Sequence, residues 1–252
     1  MRAIFISDLH LREGDTATQA QFDAFMQQAA PGADRIYVLG DLLHVWLGDA
    51  MLASDAYALK VAAQFKTLAD SGTQIFIARG NRDFMIGREF ARAAGATLLD
   101  EQTVINLDDR TTLLLHGDEL CTDDVRYQRA RRVLRTDLFR IIGNALPRSA
   151  RLAIARKLRH ESDQHKSHTS MAIMDVNDDA VTRAMARHNA SLLIHGHTHR
   201  PAHHRLADGR ERWVMSDWQQ DYGYLEYDDG TFTVKPWPTV KSPPCDQAQS
   251  SL

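Results

Sequence analysis

The strongest constraint on the fold is a pattern that occurs five times. A short apolar run of strand type stops at a polar turn carrying a metal-capable side chain. Ala3–Ser7 leads into Asp8-Leu9-His10, and Arg35–Leu39 into Gly40-Asp41. Gln74–Ala78 leads into Gly80-Asn81-Arg82-Asp83, and Thr112–Leu115 into His116-Gly117-Asp118. Ser191–Ile194 leads into His195-Gly196-His197-Thr198-His199. Stretches of mixed polarity at 17–30, 54–70 and 86–94 separate the first runs and have helical length. Short strands alternating with helices predict parallel βαβ units, hence an α/β fold. Open α/β sheets bind ligands beyond the carboxyl ends of their strands, so all five turns are expected on one rim.

Near the C-terminus strand-like pieces dominate: Arg212–Met215, Tyr222–Tyr227 and Thr231–Lys235. The end from Ser242 onward reads as a flexible tail. The stretch 123–168 breaks the alternation: it is Arg-rich, helix-like and interrupted at Gly143-Asn144 and Pro147. It also carries apolar residues, among them Leu138, Phe139, Ile141 and Ile142, and reads as a helical cap inserted over the strand ends. A helix at about 170–188 returns the chain to the core. The 252 residues therefore suit one domain with an inserted cap.

Charge is concentrated in that insertion. Arg126 to Arg159 holds 11 Lys/Arg and one acid, a net of +10, whereas the remaining 19 basic and 32 acidic residues leave −13. Such a block is either a solvated helical face or a surface that meets anions. No run reaches the roughly 18 apolar residues that would span a membrane. Asp8 follows the first apolar run too early for a secretory signal. Two cysteines, Cys121 and Cys245, cannot build a disulfide framework and favour a reducing compartment. A cytoplasmic protein able to rest on a membrane surface is the expectation.

The ligand types share one task. Asp8, Asp41 and the Asn81 amide supply oxygen; His10, His116, His197 and His199 supply nitrogen. A mixed N/O set suits Mn²⁺, Fe or Zn²⁺ better than Mg²⁺ or Ca²⁺. Seven ligands exceed one open metal site but serve two ions if a carboxylate, here Asp41, bridges them. Two ions about 3.5–4 Å apart clamp a phosphate and acidify water. Gly40, Gly80, Gly117 and Gly196 flank the ligands, where close approach favours a residue without Cβ.

At these positions the sequence resembles the calcineurin-like metallophosphoesterases, over about 8–199. The resemblance implies a sandwich of two mixed sheets flanked by helices, with a dinuclear centre. Asp8, His10, Asp41 and His199 would hold one metal, and Asp41, Asn81, His116 and His197 the other. The broad family usually reads Gly-Asn-His after the third strand; here Arg82 replaces that His. A permanently charged fork stabilises phosphoryl charge but is a poor proton donor.

That Arg, with His116-Gly117-Asp118-Glu119-Leu120-Cys121-Thr122-Asp123-Asp124 and Ala172-Ile173-Met174-Asp175-Val176-Asn177, is similar to the bacterial UDP-2,3-diacylglucosamine pyrophosphohydrolases of lipid A synthesis. This narrower resemblance implies attack of metal-activated water on the α-phosphorus, giving UMP and 2,3-diacylglucosamine 1-phosphate, with Mn²⁺ as the metal. It implies catalytic roles for Arg82, Asn81 and His116. Substrate contacts are expected from Asn81, Arg82, Asp124, Ser162, Lys166, Thr169 and His197, although the relatives carry a basic residue where Thr169 stands. The apolar, basic insertion would cover two acyl chains and touch the cytoplasmic face of the inner membrane.

Other residues receive plainer readings. His195 ends a strand and is expected to pack or to support a ligand. His203 and His204 are read as loop residues facing solvent. His160, His165 and His168 lie in the expected cap. Asp83 and Asp118 are expected to orient ligands, and Cys121 to be a buried thiol. Two other functions remain open. One keeps the metals but acts on nucleic acid or cyclic nucleotides. Its weakness is that only Tyr127 and Phe139 are aromatic between Arg126 and Arg159, where a single-strand groove would stack bases. The other is a non-catalytic, metal-stabilised nucleic-acid-binding module, for which salt-steep binding without turnover is the signature.

Overall fold

Strand alternation dictates the layers. In β1 (Arg2–Ile6), Ala3 and Phe5 point to one face and Ile4 and Ile6 to the other, all fully buried. β2 (Arg35–Leu39) and β3 (Gln74–Ala78) repeat the alternation, so both faces of the sheet must be covered. Parallel register sets Ile4 beside Ile36 and Ile36 beside Ile75 on the outer face. On the inner face the same register stacks Phe5, Tyr37 and Phe76, with ring centroids 5.0 and 4.9 Å apart.

The computed structural model describes residues 1–147, 149–151, 153–154, 175–218 and 223–238. Its first sheet adds β4 (Ala96–Leu98), β10 (Tyr224–Asp228) and β11 (Thr231–Lys235), in the order β11-β10-β1-β2-β3-β4. The second contains β5 (Thr103–Leu107), β6 (Arg110–Leu114), β7 (Leu192–His195), β8 (Ala202–Arg205) and β9 (Glu211–Val214), in the order β5-β6-β7-β9-β8. Both sheets are mixed.

Their inner faces share one core, in which Phe5, Tyr37 and Leu225 meet Leu107, Leu114, Leu192 and Ile194. Helices α1 (Thr16–Gln28), α2 (Ala56–Asp70) and α3 (Arg88–Ala93) cover the outer face of the first sheet. Asp15 caps α1 by accepting from Thr18 N, and Asp55 caps α2 by accepting from Ala58 N. The outer face of the second sheet is covered by the helix Asp178–Arg187, numbered α6, through Val181, Ala184 and Met185. The α/β sandwich of two mixed sheets is thus the architecture of this chain.

Phe5 is fully buried and contacts rings on two sides, Tyr37 and Phe232 at 6.5 Å. Phe5→Ala is expected to lower stability by about 3–5 kcal/mol in urea unfolding. A loss below about 1 kcal/mol would contradict a shared inter-sheet core.

The five apolar runs all become strands: Arg35–Leu39 and Gln74–Ala78 with the expected bounds, the other three shifted by one or two residues. Three strands carry no apolar run. β4 has three residues, β5 is half exposed at a sheet edge, and β8 reads Ala-His-His-Arg. The loop reading of His203 and His204 is therefore corrected: both lie in edge strand β8, where pairing with β9 imposes the conformation. His203 stacks flat on Trp213 at 4.0 Å and sets Nε2 2.9 Å from Glu211 Oε2.

The first part of the stretch read as a cap forms α4 (Val125–Leu134) and α5 (Asp137–Ala145). Residues 148, 152 and 155–174, with Tyr222, Cys245 and the tail, lie outside the described residues; the helix expected over 170–188 begins only at Asp178, since 175–177 are not helical. Neither helix buries a residue fully, and Val133, Leu138 and Ile141 are 61, 65 and 67% exposed. Phe139 meets Phe84 at 6.1 Å, a small apolar seam to the core. Among the described residues no helix is long and apolar enough to cross a membrane.

Candidate active site

The turns after β1, β2, β3, β6 and β7 converge beyond the strand ends. Asp8, His10, Asp41, His197 and His199 all adopt positive φ, between 50 and 71°. Non-glycine residues rarely do so, and such strain persists where the surrounding structure enforces it. Here the enforcement is visible. Asp8 N donates to Gly40 O (3.1 Å) and His10 N to Asp41 O (2.9 Å), lacing the first turn to the second. The second turn is pressed on the third: a Cβ added to Gly80 would lie 2.0 Å from Asp41 Oδ1. Asp83, fully buried, takes Gly80 N on one oxygen (2.7 Å) and Leu42 N on the other (2.8 Å), holding both turns.

Two sets of side chains result. In the first, His199 Nε2 lies 3.2 Å from Asp8 Oδ1 and 3.4 Å from His10 Nε2. In the second, Asn81 Oδ1 lies 3.0 Å from both His116 Nε2 and His197 Nδ1. Asp41 stands between them, with Oδ2 3.7 Å from His10 Nδ1 and Oδ1 3.8 Å from His116 Nε2. Asp8 reaches both as well, since its carboxylate groups with His10 and His199 and also with Asp41 and His116. Asp8, Asp41, His10 and His116 are all at least nine-tenths buried.

This donor set fits divalent cations. His116 Nδ1 donates to Leu39 O at 2.8 Å, which turns Nε2 toward Asn81 Oδ1 and Asp41. Against its burial, Asp41 and Asp8 raise the His116 pKa in the absence of a cation, and a divalent ion at Nε2 would take the place of that proton. His10 Nδ1 is buried without a hydrogen-bond partner. Burial pushes the His10 imidazole down to about 3, so it stays neutral and free to ligate. Burial, reinforced by Asp83 and Asp8, pushes Asp41 up to about 7 even against His116, a carboxylate short of positive charge.

Arg82 stands at the mouth with its side chain 24% exposed. Its backbone N donates to Asp41 Oδ1 (2.8 Å) and its Nε lies 3.6 Å from Asp41 Oδ2. His195 is fully buried and donates Nδ1–H to Gly196 O at 2.9 Å. Asp124 caps α4 by accepting from Tyr127 N (2.9 Å). Ser162, Lys166 and Thr169, with His160, His165 and His168, lie outside the described residues.

Asp118, expected to orient a ligand, instead grips the insertion. Fully buried, it accepts from Tyr127 Oη (2.5 Å), Arg131 Nε (2.9 Å) and Arg135 Nη2 (3.0 Å), all on or just after α4. Burial alone would raise its pKa, but Arg135 and Arg131 hold it well below the usual carboxylate range. Tyr127 also lies nearly parallel to His197, 6.5 Å between ring centroids.

One functional residue escaped the sequence reading. Asp217 Oδ2 lies 3.0 Å from His199 Nδ1, fixing the ring so that Nε2 faces Asp8. Burial would lower the His199 pKa, but Asp217 and Asp8 push it up to about 10. The signal was available: Met215-Ser216-Asp217 ends a strand as Ile6-Ser7-Asp8 does. Asp217→Asn is expected to weaken metal affinity about 10–100-fold with the fold intact. Metal titration checks this, and unchanged affinity would remove Asp217 from the site.

The sequence model described as calcineurin-like phosphoesterase matches residues 1–201. A protein of Nitrosococcus oceani named UDP-2,3-diacylglucosamine hydrolase is 46% identical, covering 87% of this chain and 88% of its own length. Proteins of the same name from Aromatoleum aromaticum and Pseudomonas paraeruginosa are 43 and 42% identical, covering 90 and 94% of this chain and 94 and 100% of theirs.

Proposed function

The chain belongs to the calcineurin-like phosphoesterase family, and from that premise we propose that it hydrolyses the pyrophosphate of UDP-2,3-diacylglucosamine in lipid A biosynthesis. The products are UMP and 2,3-diacylglucosamine 1-phosphate, and water attacks the α-phosphorus. The observation that carries the reading is the buried Asp41 carboxylate facing histidines of two ligand sets, with Arg82 beside it. The shared name of the relatives supports the substrate.

Asp8, His10, Asp41 and His199 would hold one divalent ion, and Asp41, Asn81, His116 and His197 the other. Such a pair polarises phosphoryl oxygens and lowers the pKa of water; Mn²⁺ is our assignment from the mixed N/O donors. The chain's own groups do the positioning. Leu39 O fixes the His116 ring, Asp217 fixes His199, and the Asn81 amide sits between His116 and His197. The Arg82 guanidinium faces the mouth and stabilises charge on the phosphoryl oxygens, a role that a fork of donors fills without losing its proton. Asp124, Ser162, Lys166 and Thr169 are further substrate contacts in this reading.

The acyl chains lie against the apolar side chains of α5 and the Val133 end of α4. The arginines among them meet anionic headgroups on the cytoplasmic face of the inner membrane. Neutralising the arginines of 126–159 other than Arg131 and Arg135, which pair with Asp118, is then expected to abolish liposome binding, and unchanged binding would count against the membrane contact.

Product analysis in heavy-oxygen water tests the reaction. With purified protein, Mn²⁺ and UDP-2,3-diacylglucosamine, the label is expected in UMP. Label in the lipid product would overturn attack at the α-phosphorus, and absence of turnover would overturn the substrate.

A further inference from the structure

A second concentration of positive charge lies outside the strand-end site. Between α3 and β4 opens a cleft of about 440 Å³, lined by Arg79, Arg88 and Arg92 with Leu98, Leu99 and a single carboxylate, Asp100. Arg79 follows β3 directly, and its Nε donates to Ile86 O at 2.6 Å. Neither Arg79 nor Arg88 makes an ion pair among the described residues, whereas Arg92 pairs with Glu89 on its own helix. Arg135 donates to Arg79 O at 3.2 Å, and burial, with Arg140 and Arg135 nearby, holds the Arg79 pKa below the usual guanidinium range. Arg79 is thus a partly buried guanidinium without a carboxylate partner among the described residues, with exposed Arg88 beside it and Arg92 shared with Glu89, and such a buried cation is unfavourable until an anion arrives. Guanidinium forks match tetrahedral oxyanions by paired hydrogen bonds, and the Leu98–Leu99 wall suits an apolar substituent.

We propose that this cleft binds a phosphate-class anion, either a soluble phosphate ester or the headgroup of an anionic lipid, at a site separate from the strand-end ligands. It stands apart from the hydrolytic reading.

The test titrates inorganic sulfate, a tetrahedral dianion that undergoes no hydrolysis, into metal-loaded protein at low ionic strength. Arg88→Gln/Arg92→Gln is expected to weaken one component of binding at least about tenfold. Both side chains are exposed, so folding is spared. Arg183→Gln/Arg187→Gln removes the same charge from exposed positions on α6 and is expected to titrate like the unmodified protein. Identical titrations of the unmodified protein and the cleft variant overturn the site, as do equal losses in both variants.

Competition then separates the sources. Displacement of sulfate by glycerol 3-phosphate but not by phosphatidylglycerol vesicles supports a soluble ester. Displacement by phosphatidylglycerol vesicles, with pure phosphatidylcholine inert, supports a lipid headgroup. Failure of both to compete overturns the phosphate assignment.

Discussion

Asp41→Asn is expected to give a folded protein that has lost turnover, on the order of 10³-fold or more, together with most of its bound metal. Asn is isosteric, so the acceptor for Arg82 N at Oδ1 is preserved and the third turn keeps its place. What disappears is the charge that two ligand sets share through Oδ1 and Oδ2. In the metal-free protein the sign reverses. Burial beside Asp83 and Asp8 lifts the Asp41 pKa to about 7, above the unfolded value. Ionised Asp41 therefore opposes folding above neutral pH, and metal-free Asp41→Asn is expected to be at least as stable as the unmodified protein at pH 8. Elemental analysis, product formation and urea unfolding read the three quantities. Retained metal with retained turnover would remove Asp41 from its bridging position.

The second large effect concerns stability. Asp118→Ala is expected to destabilise the protein by about 3–5 kcal/mol, because the change strips a buried carboxylate from two partly buried arginines. Arg131 and Arg135 are 13 and 8% exposed, and among the described residues Glu101 alone remains to pair with them. Since α4 and α5 bury no residue fully, this ion cluster is, among the described residues, a main tie of these two helices to the core, with Phe139 on Phe84 as a lesser one. Asp118 stays ionised throughout the neutral range, so its contribution is fully present there and fades only in strong acid. Urea unfolding measures the loss, and limited proteolysis within 125–145 is expected to accelerate. Unchanged stability and unchanged cleavage would show that the insertion is held by other means.

These two residues illustrate what could be read in advance. Asp41 was legible because its signal is local: an apolar run, a glycine and a carboxylate within seven residues. The same holds for Asp8, His10, Asn81, His116, His197 and His199. The role of Asp118 was misjudged because its partners lie 9, 13 and 17 residues further on, across a turn whose course the sequence does not encode. Asp217 was legible in kind but unread, since its strand lacks the continuous apolar run of the other five.

The amino-acid sequence by itself determined the order of strands and the chemistry at their ends. Period-two burial and turn-forming residues act over a few positions, and every copy of the chain carries them before it folds. Tertiary structure alone decided which strands pair, that β8 forms from polar residues, that Asp83 holds two turns together and that Asp118 grips α4. Those outcomes depend on packing between segments far apart in sequence, where β conformation and ion pairing are set by the neighbour that arrives. The cluster of Asp8, Asp41, His10, His116 and His199 belongs to both levels, since its members are written locally but only the closed sandwich brings them within ligand distance in two groups that share Asp8.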